Sequence, residues 1–162
     1  MSGLSWLTIL RKRDNFRAAF AAFDPEVVAR FTATDEHRLM QDPGIVRNRA
    51  KIAAAINNAR RYQDLKREFG SLAAYVWAFE PPRRPRLLDR EALMRLKFSR
   101  EAETMSKDLR KRGWAFVGPT TVYSFMQGVG VVNDHLDGCH AGLEVEHEAR
   151  RFVRPAPVAT RP

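Results

Sequence analysis

Apolar positions recur with a helical period along most of the chain. From Trp6 the residues Leu7, Leu10, Phe16, Phe20 and Phe23 follow at three-, four- and six-residue steps, the face of one helix or of a broken helix pair. Asp24-Pro25-Glu26 reads as a helix start, with a capping carboxylate, proline at the first helical position and an acid at the positive dipole end. Thr34 is the expected cap of a short helix bearing Leu39 and Met40. Asp42-Pro43-Gly44 is a tight turn in which the proline presets one angle and the glycine takes a positive one. A longer helix follows, apolar at Ile45, Ile52, Ile56, Ala59 and Phe69, with Gly70 as its C-terminal cap. Ser71 caps the next, carrying Leu72, Tyr75, Val76 and Phe79. Pro81-Pro82-Arg83-Arg84-Pro85-Arg86 reads as an extended basic linker. Ser99 opens a helix with Ala102, Met105 and Leu109 that stops at Gly113, and Pro119-Thr120 starts one with Val122, Phe125 and Met126. From about Ala141 the chain is charged and then proline-containing, which reads as a frayed, flexible tail. No internal repeat and no strand emerges; the pattern is all-α. The expected division is a helical domain over 1–140, with its hairpin at about 35–62, and a tail over 141–162.

Composition narrows the class. The 162 residues are 44% hydrophobic and 29% charged, with a net charge of +9, a folded basic chain of one-domain size. Basic residues cluster at 11–13, 47–51, 60–67 and 110–112. Such an excess suits a polyanion, nucleic acid ahead of a membrane surface, although a merely basic protein would carry it too. The single cysteine, Cys139, excludes an intramolecular disulfide and points to the cytoplasm. No apolar stretch approaches bilayer length, and the first residues, from Met1 to Trp6, lack a signal-peptide layout.

The segment Leu39–Ile52 joins a short helix, a Pro-Gly turn, the apolar Ile45 and a basic second helix, the composition of a helix–hairpin–helix. Glycine allows close approach to a phosphate, and amides at the start of the second helix can meet it. Pro43, Gly44 and Ile45 form the turn, and Arg47, Arg49 and Lys51 add charge that positions without reading sequence. An ordinary turn between core helices fits the same residues.

Four blocks together resemble one family, DNA-3-methyladenine glycosylase I, within the helix–hairpin–helix glycosylases. They are Gly3-Leu4-Ser5-Trp6-Leu7-Thr8-Ile9-Leu10-Arg11-Lys12-Arg13 with Asn15-Phe16-Arg17-Ala18; the hairpin through Asn57-Asn58-Ala59-Arg60; Leu109-Arg110-Lys111-Arg112-Gly113-Trp114-Ala115-Phe116-Val117-Gly118 into Tyr123-Ser124-Phe125-Met126-Gln127; and Gly130-Val131-Val132-Asn133-Asp134-His135 with Gly138-Cys139. The resemblance implies a monofunctional N-glycosylase of base-excision repair. It would flip 3-methyladenine from alkylated double-stranded DNA and hydrolyse its glycosidic bond, acting as a monomer without membrane contact. It makes Trp6 the residue that stacks on the base, where composition alone leaves a core aromatic as the alternative. It places Leu4 on a loop facing DNA, where an apolar wedge can fill the gap left by a flipped base. It makes His135 and Cys139 two of the four ligands of a structural zinc. The family's other Cys and His ligands, pocket aromatics and base-reading glutamate precede the glycine matched by Gly3, and their positions fall upstream of Met1. No catalytic residue is therefore assigned within 1–162. The expectation is either that the start at Met1 is placed too late or that the chain is a truncated, catalytically impaired DNA-binding protein.

Overall fold

The computed structural model describes residues 5–82 and 90–156, with the side chains of 92–94 left aside. Every regular element in them is helical: α1 (Trp6–Arg11), α2 (Arg13–Ala19), α3 (Pro25–Val28), α4 (Ala33–Gln41), α5 (Arg49–Phe69), α6 (Leu72–Trp77), α7 (Arg90–Arg95), α8 (Arg100–Lys111), α9 (Pro119–Gly128) and α10 (His140–Arg151). None of these helices is long and apolar enough to cross a membrane.

Helix α5 is the axis of the molecule. Its first half packs in one core with Phe20, Val28, Phe31, Leu39 and Ile45. Its second half contributes Leu65 to another, with Tyr75 of α6, Met105 and Leu109 of α8, and Tyr123 and Met126 of α9. The caps are local and legible. The Asp24 side chain accepts from the amides of Glu26 and Val27, and Asn48, Ser71 and Ser99 cap α5, α6 and α8. Gly70 ends α5 at φ 80°, where a side chain would be strained.

Several expectations are corrected. The first apolar face is the broken pair of the two readings offered, and it ends where Ala21, Ala22 and Phe23 take φ of 50°, 55° and 61°. This left-handed turn is held by the stacking of Phe23 on Phe20 at 5.6 Å. Thr32, not Thr34, caps α4; its amide and hydroxyl both donate to Asp35, whose carboxyl the amide bond holds below the usual range. Helix α5 starts at Arg49, so Ile45 belongs to the turn, where it is buried. The expected frayed tail is helical over His140–Arg151 and docked. Arg154 forms a two-bond pair with Glu80 at 3.0 and 2.7 Å, and Phe152 packs on Trp77 at 4.8 Å. Most of the Pro81–Arg86 linker lies outside the described residues, as do 157–162 of the tail.

Candidate nucleic-acid interface

The turn between α4 and α5 is fastened from inside. Asp42 Oδ1 accepts from the Gly44 amide at 2.7 Å. Lys12, at the joint of α1 and α2, donates to the carbonyls of Pro43 and Gly44 at 2.9 and 3.1 Å, and Asn15 adds a bond to Gly44 at 3.2 Å. Gly44 does not adopt the positive φ that the turn chemistry suggested; what it supplies is space. The amides of Val46 and Arg47 make no hydrogen bond among the described residues. Arg47 is exposed, and Lys51 is half-buried on the first turn of α5. Unpartnered amides beside cations can bind an oxyanion.

Trp6 lies on α1, a helix that buries none of its residues, and is 64% exposed. The reading of Trp6 as a core aromatic is thereby excluded. Leu4, expected on a loop facing DNA, lies outside the described residues, as does Met1, on which the expectation of a late start was placed.

A second surface element escaped the sequence reading. The loop Gly113–Gly118 between α8 and α9 is gripped by α5. The Asn58 side chain accepts from the Ala115 amide and donates to its carbonyl, both at 2.9 Å. Asn57 donates to the Gly113 carbonyl at 2.8 Å, and Ser106 donates to the Val117 carbonyl at 2.6 Å. Between these clamps Phe116 takes φ 57° and is 57% exposed. Below the loop, Arg112 ties the end of α8 to α5. It bonds Glu68 at 2.5 and 3.0 Å and Asp108 at 2.6 Å, and its guanidinium lies 5.1 Å from the Phe69 ring centroid. Hydrogen bonding from Arg112 holds the Glu68 carboxyl below its ordinary range. Burial works against charge on Asp108, but bonds from Arg112 and Tyr75 outweigh it and lower that pKa too. Desolvation and the bond to Asp108 drive the Tyr75 hydroxyl upward. The only signal for this loop was the run of matched residues, which carried no hint of its backbone strain.

Much of the basic excess is spent on the fold. Lys12 serves the α4–α5 turn, and Arg60 donates to the carbonyls of Ala29 and Phe31 at 3.0 and 2.9 Å. Arg61 and Arg67 pair with Asp64, and Lys66 with Glu26. Arg49 reaches Glu36 at 3.6 Å. Arg47, Arg110 and Lys111 remain exposed with no such partner among the described residues.

The structure places His135 and Cys139 on the segment entering α10, with Cys139 at its N-cap. The Asn133 side chain holds His135 Nδ1 at 2.8 Å and also donates to the Gly142 carbonyl at 3.0 Å. That contact occupies Nδ1 and leaves Nε2 as the other ring nitrogen. No group of three or more His, Cys, Asp or Glu that could hold a metal occurs among the described residues. The two donors do not by themselves fit a closed zinc site, which takes four.

The methyladenine glycosylase family model matches residues 1–142. The chain is 45% identical over 139 residues to DNA-3-methyladenine glycosylase 1 of Escherichia coli K12, covering 85% of this chain and 74% of that one. It is 40% identical to the DNA-3-methyladenine glycosylase of Haemophilus influenzae, with 85% and 75% covered. Among solved structures, 3-methyladenine DNA glycosylase I of Staphylococcus aureus superposes with a TM-score of 0.78 at 38% identity, covering 87% of this chain and 75% of that one. The fold, all-helical among the described residues, is that of the solved 3-methyladenine DNA glycosylase I structures. The chain belongs to the methyladenine glycosylase family.

Proposed function

We propose that the protein is a DNA-3-methyladenine glycosylase, hydrolysing the N-glycosidic bond of flipped-out 3-methyladenine in alkylated duplex DNA. Identity of 40–45% to enzymes of that name over most of the chain supports the activity. The observation that carries the site is Trp6, a large aromatic left 64% exposed on a helix with no buried residue. Alkylation at N3 makes the base cationic and already a good leaving group, so recognition matters more than a strong nucleophile. An aromatic face attracts such a cation by about 0.5–2 kcal/mol. Flipping costs a few kcal/mol and is cheapest where damage has weakened pairing. The glycosidic C–N bond then breaks with its electron pair going to the base, which departs neutral, while water bonds to the sugar carbon and gives up a proton to solvent.

The Leu39–Ile52 segment is read as a helix–hairpin–helix that grips the DNA backbone. The amides of Val46 and Arg47 face a phosphate, with Arg47 and Lys51 adding charge. Pro43, Gly44 and Ile45 hold the turn that presents them. The expected readout is release of free 3-methyladenine from methylated duplex DNA, followed by chromatography. Trp6→Ala should lower the rate at subsaturating DNA about 10-fold or more. Tight, salt-sensitive duplex binding with no base release would overturn the enzymatic reading and leave a binding protein.

His135 and Cys139 are, on the same family reading, half of a structural zinc site. Two donors hold zinc weakly, where a closed site takes four, so the purified chain should carry well under one zinc per molecule by elemental analysis, and His135→Ala should remove what it carries. Metal-free protein with an unchanged melting temperature would remove zinc from the account.

A further inference from the structure

Phe116 combines three features that the fold itself does not reward. Its φ of 57° lies in the left-handed region, where a bulky aromatic is an outlier and glycine or asparagine sits more easily. The residue is 57% exposed and belongs to neither core cluster. Its neighbours are nevertheless locked: Ala115 by one bond given to and one received from Asn58, Val117 by Ser106, and Gly113 by Asn57. Strain of this kind persists where surrounding contacts over-determine it, and it clusters at ligand-contacting positions.

We infer that Phe116 contacts DNA, stacking its ring on the bases of the duplex beside the lesion; this rests on the glycosylase reading above. The chemistry around the ring favours nucleic acid. Arg110 and Lys111 are exposed and precede the loop on α8, and Arg110 Nη2 would lie 3.5 Å from a β-carbon at Gly118, so its cation sits against the loop. An aromatic ring flanked by cations is how proteins hold bases and backbone together. The loop is clamped to α5 at Asn57 and Asn58, roughly 14 Å along the helix axis from the cap beside the α4–α5 turn. That separation is short enough for a single duplex to span. A rigid presentation also spares the ordering entropy that a mobile aromatic would lose on binding. An aromatic residue more than half exposed suits the face of a base stack better than the wall of a pocket around a single base.

The test separates fold from contact. Phe116→Gly and Phe116→Asn remove the ring while keeping a residue that tolerates the left-handed backbone, and Phe116→Tyr keeps the ring. The glycine and asparagine variants should melt at or above the wild-type temperature. They should bind a duplex containing a stable abasic-site analogue about 5- to 150-fold more weakly, with the tyrosine variant close to wild type. Affinity for free 3-methyladenine should be unchanged in all three. Wild-type duplex affinity in the glycine and asparagine variants would overturn the inference. So would a fall of many degrees in their melting temperature, which would mark a structural ring, or loss of free-base binding, which would place the ring in the base pocket. Failure of the wild-type protein to bind the duplex or to release base would instead overturn the glycosylase reading on which the inference stands.

Discussion

A β-carbon on Gly44 would lie 2.9 Å from Asp42 Oδ1 and 3.1 and 3.2 Å from Nδ2 and Cβ of Asn15. Neither neighbour is at liberty to withdraw. That Asp42 oxygen accepts from the Gly44 amide, and Asn15 donates to the Gly44 carbonyl. The turn therefore needs glycine for closeness and not for an unusual φ. Gly44→Ala should push Asn15 or the turn outward, at a cost of about 1–3 kcal/mol typical of overpacking, and should weaken duplex binding because the Val46 and Arg47 amides move with the turn. Urea unfolding checks the first effect; an unchanged midpoint would show that the clamp from Asn15 and Lys12 yields freely. Trp6 and Phe116 illustrate the converse situation, large rings kept where burial does not repay them. For Trp6 the sequence offered two readings that only exposure could separate. For Phe116 it offered none, since a left-handed φ imposed by Asn58 and Ser106 leaves no mark in local composition.

At the level of elements, what could be read from the chain was what the chain decides locally. Asp24, Ser71 and Ser99 cap their helices through bonds to amides two or three residues ahead, and such bonds are visible as residue types at fixed offsets. Thr34 was misread because Thr32 and Thr34 both precede the apolar positions of α4; the partner that decides between them is Asp35. Helix α10 was misread for a different reason. Its residues are mostly polar, with Gly142 near the start, and what fastens it lies far away in sequence. Glu80 and Trp77, 74 and 75 positions from the Arg154 and Phe152 they hold, supply an ion pair and a ring contact. At Ala21–Phe23 the apolar period left one helix or a broken pair open, and the left-handed turn that lets Phe23 stack on Phe20 decides for the broken pair.

Charge at the scale of the whole molecule changes meaning once the pairs are known. The sequence has 28 Lys and Arg and a net charge of +9, and the clusters at 11–13, 47–51, 60–67 and 110–112 were read as an electrostatic footprint. In the fold, four cations of one cluster are exposed but have partners within the chain: Arg60 ties α5 to the Ala29 and Phe31 carbonyls, while Arg61, Lys66 and Arg67 sit in ion pairs. Lys12 and Arg112, the central or last members of two others, hold the α4–α5 turn and the α5–α8 junction. The exposed cations without such a partner among the described residues include Arg47 beside that turn and Arg110 and Lys111 beside the Gly113–Gly118 loop. Each neutralised phosphate contributes about −0.9 to the slope of log K against log salt. Duplex binding, followed by fluorescence anisotropy across a salt titration, should therefore show a slope between about −3 and −5. Arg47→Ala and Lys111→Ala should each make it shallower by about 1, because each deletes a single phosphate contact. A wild-type slope near −8 would mean that most of the net charge meets DNA, and that the internal pairs open on binding. A slope indifferent to both substitutions would move the interface off the α4–α5 turn and the α8–α9 loop altogether.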